Sequence, residues 1–224
     1  MQIDKLELFF LGSNFTLRIT TDSGITGVGQ SACWGYPTAV HSVVEQFEQY
    51  LIGQDPLRIE HHGQHLYRMA PFRGNIVSGA ISAVDIALWD IKGKHLQAPV
   101  WQLLGGNCRD KIRLHLLRGG ATPEELHKSA SDAVAEGFTA LKFDPLPGGF
   151  ADMAQDRLTK TAREFVAAAR EGGGPDLDLI VEIHRKLTPI TGLAMCEALK
   201  EFNLYFLEDP IQIDSIMSQG EIAR

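Results

Sequence analysis

Leu, Ile, Phe, Val and Thr dominate residues 2–10, 14–20 and 25–30, and Asp22-Ser23-Gly24 separates the last two runs. Apolar, β-branched runs punctuated by turn residues predict a short antiparallel sheet. The period then changes. From Pro37, apolar residues fall at Val40, Val43, Val44, Phe47 and Leu51, which is one face of a helix. Gly53 and Pro56 end it. Residues 58–70 predict a second, more polar helix. Over 76–96 the positions Val77, Ala80, Ile81, Val84, Ala87, Leu88 and Ile91 form a wide apolar face, the mark of a buried helix. Residues 98–104 predict a last short helix, stopped by Gly105-Gly106.

Near residue 112 the pattern becomes a regular alternation. Strands are expected over Ile112–Leu117, Ala140–Asp144, Leu179–His184 and Tyr205–Glu208. Helices are expected from Pro123 to about Glu136, over 152–171, over 189–202 and from 214 onward. Such βα alternation implies parallel strands with right-handed crossovers. The chain therefore reads as an α+β domain over 1–111, a three-stranded meander plus helices, and an α/β domain over 112–224. At about 30 residues per βα unit, the second domain holds four strands. A closed eight-stranded barrel needs about 250 residues. The expected architecture is the first half of a (β/α) barrel, or an open four-stranded sheet.

Composition narrows the function. With 224 residues, 44% hydrophobic and 22% charged, the chain is a globular protein rather than a disordered tail. A net charge of −7 leaves no basic footprint for nucleic acid. No apolar run approaches the roughly 20 residues of a membrane helix, so neither nucleic acid nor membrane is an expected partner. Asp4, Lys5 and Glu7 interrupt any signal-peptide pattern. Cys33, Cys108 and Cys196 are far apart and odd in number, which predicts free thiols and a cytoplasmic location.

The candidate chemistry lies at the carboxyl ends of the predicted parallel strands, where α/β folds place their sites. One strand ends in Glu182-Ile183-His184 and the next in Glu208-Asp209-Pro210. Side chains alternate along a strand, so Glu182 and His184 are expected on one face. Adjacent parallel strands lie about 4.8 Å apart. Glu182 and Glu208 are therefore placed to share a divalent cation, and oxygen-only ligation favours Mg²⁺. The alternative is that both carboxylates cap loops or pair with cations. His184 is a candidate general acid or base, or a hydrogen-bonding histidine at a strand end. Lys142 and Asp144 end another strand and share a face. Lys142 is suited to hold an anionic substrate or tune a proton, or else forms an ion pair with Asp144 or Glu182. His61-His62-Gly63-Gln64-His65 falls on the polar helix and reads as a solvated face. Trp34, Tyr36, Trp89 and Trp101, taken alone, read as packing residues.

These residues resemble the enolase superfamily, in its mandelate racemase/muconate lactonizing branch. The resemblance is carried by Thr21–Gly27, by Leu51–Pro56, by the long segment Ala80–Lys94, by Leu103–Gly106 and by Phe206–Pro210. It implies an α+β capping domain over a modified barrel, a Mg²⁺ site of three carboxylates on successive strands, and abstraction of the proton α to a carboxylate. Glu182 falls on the first ligand position and Glu208 on the second. His184 resembles the histidine of acid-sugar dehydratases that protonates the departing 3-hydroxyl. The loop Ser31–Pro37, with Trp34 and Tyr36, matches the capping loop that shapes specificity, which makes both candidate substrate-binding residues beside Asp144.

Three departures refine the reading. The first ligand is usually Asp and is here Glu182, an arm longer by about 1.5 Å. The glycine that usually follows the histidine is Arg185. The racemase-type Lys-x-Lys is Lys142-Phe143-Asp144, which favours a histidine-based dehydratase over an epimerase. The third ligand and the later-strand base of the family are expected beyond strand four, so the chain reads as truncated before strand five. The expectation is a Mg²⁺-dependent aldonate or aldarate dehydratase, a homo-oligomer by family resemblance, inactive as 224 residues alone. The alternatives are a non-catalytic remnant acting as a subunit or binding module, and a racemase or epimerase of the same branch.

Overall fold

The computed structural model describes residues 1–31, 33–214 and 216–223. The chain divides into two compact units, Met1–Asp110 and Lys111–Arg224.

In the first unit, β1 (Ile3–Leu11), β2 (Asn14–Thr21) and β3 (Thr26–Ser31) form an antiparallel meander in that order. Phe15, Leu17 and Ile19 alternate along β2 and are fully buried, as period-two patterning requires. Helices α1 (Pro37–Leu51), α2 (Ile59–Arg68), α3 (Asn75–Leu96) and α4 (Val100–Leu103) follow. Val40, Val44, Phe47 and Leu51 of α1 join the same core as Ala80, Ala83, Val84, Ala87, Leu88 and Ile91 of α3.

The contact between β3 and α3 explains much of the long Ala80–Lys94 segment. A Cβ at Gly29 would lie 1.8 Å from the Ala83 carbonyl oxygen, and one at Gly27 would lie 2.0 Å from that of Ala87. Glycines on the strand and alanines on the helix thus let two backbones touch. The same helix takes up two of the strand's polar groups. The Val28 amide donates to Asp90 (3.0 Å), and the Lys94 ammonium donates to the Thr26 carbonyl (2.7 Å) and to Asp90 (2.7 Å). An edge strand whose polar groups are taken by a neighbouring helix offers less of a template for aggregation.

His62 departs from expectation. It lies on the polar helix α2, yet it is fully buried. Its Nε2 sits 2.8 Å from the Asp55 carbonyl oxygen, which can only accept, so Nε2 carries the proton. Nδ1 then accepts from the Tyr50 hydroxyl at 2.9 Å. The packing reading of the aromatic residues also needs correction. Trp89 is partly buried against the core, but Trp34, Tyr36 and Trp101 are exposed.

In the second unit, β4 (Leu116–Leu117), β5 (Ala140–Phe143), β6 (Asp178–Glu182) and β7 (Phe206–Glu208) form a parallel sheet in sequence order. They alternate with α5 (Pro123–Ala135), α6 (Gln155–Gly173) and α7 (Pro189–Leu199), and α8 (Ile216–Ile222) follows β7. Leu141, Phe143, Leu179 and Val181 pack one face of the sheet against Leu126, Ala130, Leu158, Ala162, Phe165, Val166 and Met195 of the helices. β4 is much shorter than expected. Its partner among the described residues, β5, begins at Ala140, so in this register residues 112–114 have no strand residue opposite them. Instead the Arg113 guanidinium donates to the Thr139 carbonyl and hydroxyl (both 2.7 Å) and pairs with Asp178. Cys33, Cys108 and Cys196 are free thiols, and no helix among the described residues is long and apolar enough to cross a membrane.

Burial lowers the pKa of His62, opposed by the proton it donates to Asp55. A buried base with a depressed pKa binds its proton more readily once unfolded, so stability falls as pH drops below about 6.5. Thermal unfolding between pH 7.5 and 5 should show this loss. The His62→Gln protein, which has no ring to charge, should be less stable at pH 7.5 but flatter with pH. An equally steep profile in both proteins would assign the loss to other groups.

Candidate functional site

The parallel sheet gathers charge at its carboxyl end. Lys142 pairs in register with Ile180, and Glu182 with Glu208. Paired residues on neighbouring parallel strands point to the same side, so Lys142, Glu182 and Glu208 share one face, opposite the helices. Like charges directly across a ladder repel. Lys142 answers that repulsion, with its Nζ 2.6 Å from Glu182 Oε2 and 2.7 Å from Glu208 Oε2. The lysine and Glu182 side chains keep only 14% and 15% of their surface exposed, and Glu208 keeps 37%.

Electrostatics follow from this arrangement. Burial disfavours the Lys142 ammonium, but the two carboxylates outweigh it and raise the pKa. Burial likewise opposes ionisation of Glu182, but Lys142 and the His184 amide outweigh it and hold the pKa low. The structural alternative considered for Lys142, an ion pair with Glu182, is therefore present, and Glu208 joins it. Its pairing with Asp144 is not. Asp144 is taken by Lys186 and accepts from the Leu146 amide (2.9 Å).

His184 stands differently from its predicted place. β6 ends at Glu182, and His184 (φ 58°) and Arg185 (φ 61°) both adopt the left-handed conformation. Strand alternation therefore stops before His184 and cannot set its direction. Its backbone amide donates to Glu182 Oε1 at 2.9 Å. The longer glutamate arm thus divides its oxygens, one to the turn and one to Lys142. Left-handed backbone at a non-glycine residue costs about 1 kcal/mol. At Arg185 it is held by the Asp209 carbonyl, which accepts the Arg185 amide at 2.6 Å, and by the Arg185–Asp209 ion pair at 2.6 Å.

Arg185, Lys186 and Asp209 were not singled out as site residues. The available signal was a basic pair directly after one strand end, facing acidic residues at the ends of its neighbours. Trp34 and Tyr36 belong to the first unit, where they lie 73% and 57% exposed in the turn before α1. Among the described residues, no three His, Cys, Asp or Glu side chains converge as a metal cluster.

Removing the central cation should expose the repulsion it relieves. Lys142→Met should lower stability in urea unfolding at neutral pH by about 2 kcal/mol, since it leaves two part-buried carboxylates face to face. Adding Glu208→Gln to that variant should restore most of the loss. Additive losses in the double variant would mean that the three groups do not act as one cluster.

The comparisons with known proteins agree with this architecture. Residues 12–105 match the mandelate racemase/muconate lactonizing enzyme N-terminal domain, and residues 125–224 match an enolase C-terminal domain-like model. A D-galactonate dehydratase of Klebsiella pneumoniae is 36% identical over 216 residues, covering 94% of this chain and 56% of the relative. The crystal structure of an enolase of the mandelate racemase subgroup from Agrobacterium tumefaciens superposes with a TM-score of 0.86 at 31% identity, over all of this chain and 61% of that one. An enolase from Pantoea ananatis, with bound D-gluconate and Mg, gives a TM-score of 0.89 at 25% identity over 99% of this chain and 63% of that one. The chain thus spans little more than half the length of the curated relative. Both halves of the match, and the sheet that carries the charged cluster, place the chain in the mandelate racemase/muconate lactonizing branch of the enolase superfamily.

Proposed function

We propose that the cluster at the sheet's carboxyl end is the first part of an acid-sugar dehydratase site, acting on an aldonic or aldaric acid. The observation that carries this reading is the Lys142 ammonium held 2.6 and 2.7 Å from Glu182 and Glu208. Two carboxylate oxygens from adjacent strands already converge on one cation. Hard oxygen donors around a single cationic position suit Mg²⁺. When bound, a divalent cation supplies charge stabilisation for the anion that develops as the α-proton leaves.

The chain's own residues divide the remaining work. Glu182 and Glu208 are the ligands for that ion. Lys142 must leave the position between them for this to happen, and its released ammonium then serves as a partner for the substrate carboxylate. Asp144, held by Lys186, lines the same strand ends. His184 protonates the departing 3-hydroxyl, and the turn that carries it is fixed through Glu182 and Asp209. A bound ion and an acid-sugar ligand in the Pantoea relative, and the activity named for the Klebsiella relative, support the substrate class. Trp34 and Tyr36 are proposed to contact the sugar. The strand-end motif Lys142-Phe143-Asp144 lacks the second lysine of the racemases, so elimination is favoured over epimerisation.

A second reading rests on one observation. Ile112, Leu114 and Leu117 are strongly exposed at and before β4, as on a surface that another polypeptide covers. In that reading the protein is a non-catalytic subunit.

Product assays decide between them. The protein as its source cell makes it should form a 2-keto-3-deoxy acid from D-galactonate, D-gluconate or galactarate. His184→Asn should reduce kcat by about 100-fold or more. Turnover unaffected by that change would refute the role of His184. Proton exchange without elimination would point to a racemase, and a stable hetero-complex with no turnover would favour the subunit.

A further inference from the structure

The outer face of α2 carries a second group of donor atoms that the proposed chemistry does not use. His61, His65 and Met69 follow one another at four-residue intervals. That spacing stacks side chains along one side of a helix. Met69, the residue after the last full turn, still has helical dihedrals. The three side chains line one surface pocket of about 300 Å³ together with Gln64 and Arg68.

The three histidines of this segment have separate fates. His62 faces inward, and both its ring nitrogens are committed, to Tyr50 and to Asp55. His61 and His65 face outward, both exposed. Their rings stack at 6.4 Å between centroids and 26° between planes, and His65 also stacks on Tyr50 at 3.8 Å. Neither outward ring makes a hydrogen bond among the described residues. The arginine that lines the pocket, Arg68, is drawn back along the helix, where it donates to the backbone carbonyl (3.3 Å) and the side-chain carbonyl of Gln64. Gln64 in turn donates to Glu60. The pocket thus presents two imidazoles and a thioether, with its arginine tied aside.

We propose that His61 and His65, with Met69 as a weaker third donor, bind a late first-row transition-metal ion, with Cu²⁺ held most tightly. Two imidazoles one helical turn apart reach a common ion by small rotations of their side chains, at metal–nitrogen distances of about 2.0 Å. Imidazole and thioether donors select Cu²⁺ over Ni²⁺ and Zn²⁺ by the usual order of divalent affinities, and they do not suit Mg²⁺. The ring of Tyr50, from α1, stacks on His65, so a bound ion would cross-link two turns of α2 beside that ring. This site is independent of the carboxylate cluster and differs from it in donor class.

The test is a calorimetric titration of Cu²⁺ into the 224-residue protein at pH 7.5, with electron paramagnetic resonance of the one-equivalent complex. One ion should bind with micromolar affinity and show coupling to two nitrogens. His61→Ala and His65→Ala should each weaken binding about tenfold or more, and Met69→Leu by a smaller factor. Glu208→Gln should leave the Cu²⁺ affinity unchanged, and excess Mg²⁺ should not compete. These side chains are exposed, so circular dichroism of each variant should match the parent. Unchanged Cu²⁺ affinity in the doubly substituted His61→Ala, His65→Ala protein would overturn the proposal and place the ion on another group. Binding that Mg²⁺ or Glu208→Gln abolishes would overturn it equally, by assigning the ion to the carboxylates.

Discussion

Two carboxylates set directly opposite each other on neighbouring parallel strands repel, and a cation between them relieves that repulsion. Glu182 and Glu208 are in that position, and Lys142 supplies the cation from the next strand. The features around them follow from this constraint. The helices pack on the other face of the sheet, where Leu141, Phe143, Leu179 and Val181 make a dry core. The strands are short, so their charged ends meet at one level. The turn after β6 is held in left-handed conformation by Asp209 and by Glu182 itself. The pair of carboxylates is thus held together by a side chain of the chain's own.

The first unit meets a different demand. Its sheet has three strands and one buried face, and its edge strand must be covered. Gly27 and Gly29 bring that strand against the backbone of α3, and Asp90 and Lys94 take up its Val28 amide and Thr26 carbonyl. The residues by which this segment resembles its family are therefore the ones that let a helix lie directly on a strand. Nothing catalytic is required to explain Ala83, Ala87, Asp90 or Lys94.

Much of this was legible in the sequence because both units obey simple periodicities. The apolar face from Val40 to Leu51 and the alternation of Phe15, Leu17 and Ile19 each give one structural answer. Glu182 and Glu208 were visible as polar residues closing apolar strands. The failures arose where local pattern yields to tertiary context. His184 was assigned by alternation, but its strand ends two residues earlier. His62 looked like one more polar residue on a polar helix, and only its contacts with Tyr50 and Asp55 reveal a buried hydrogen-bonded histidine. Trp34, Tyr36 and Trp101 looked like packing residues because large aromatic rings usually are. Ile112–Leu117 has strand composition, but a strand needs a partner, and β5 reaches only two of its residues. The pairings Asp144–Lys186 and Arg185–Asp209 join strand ends to loops, where neither period applies.

The central claim is that Lys142 holds the place of a divalent cation between Glu182 and Glu208. It is tested most directly by thermal unfolding of the parent chain and of Lys142→Met with and without millimolar Mg²⁺. If the claim is right, Mg²⁺ raises the melting temperature of Lys142→Met clearly more than that of the parent, and Glu208→Gln in the same variant removes the effect. Equal shifts in both proteins, or none in Lys142→Met, would contradict it and leave the cluster as an ion network that serves the fold alone.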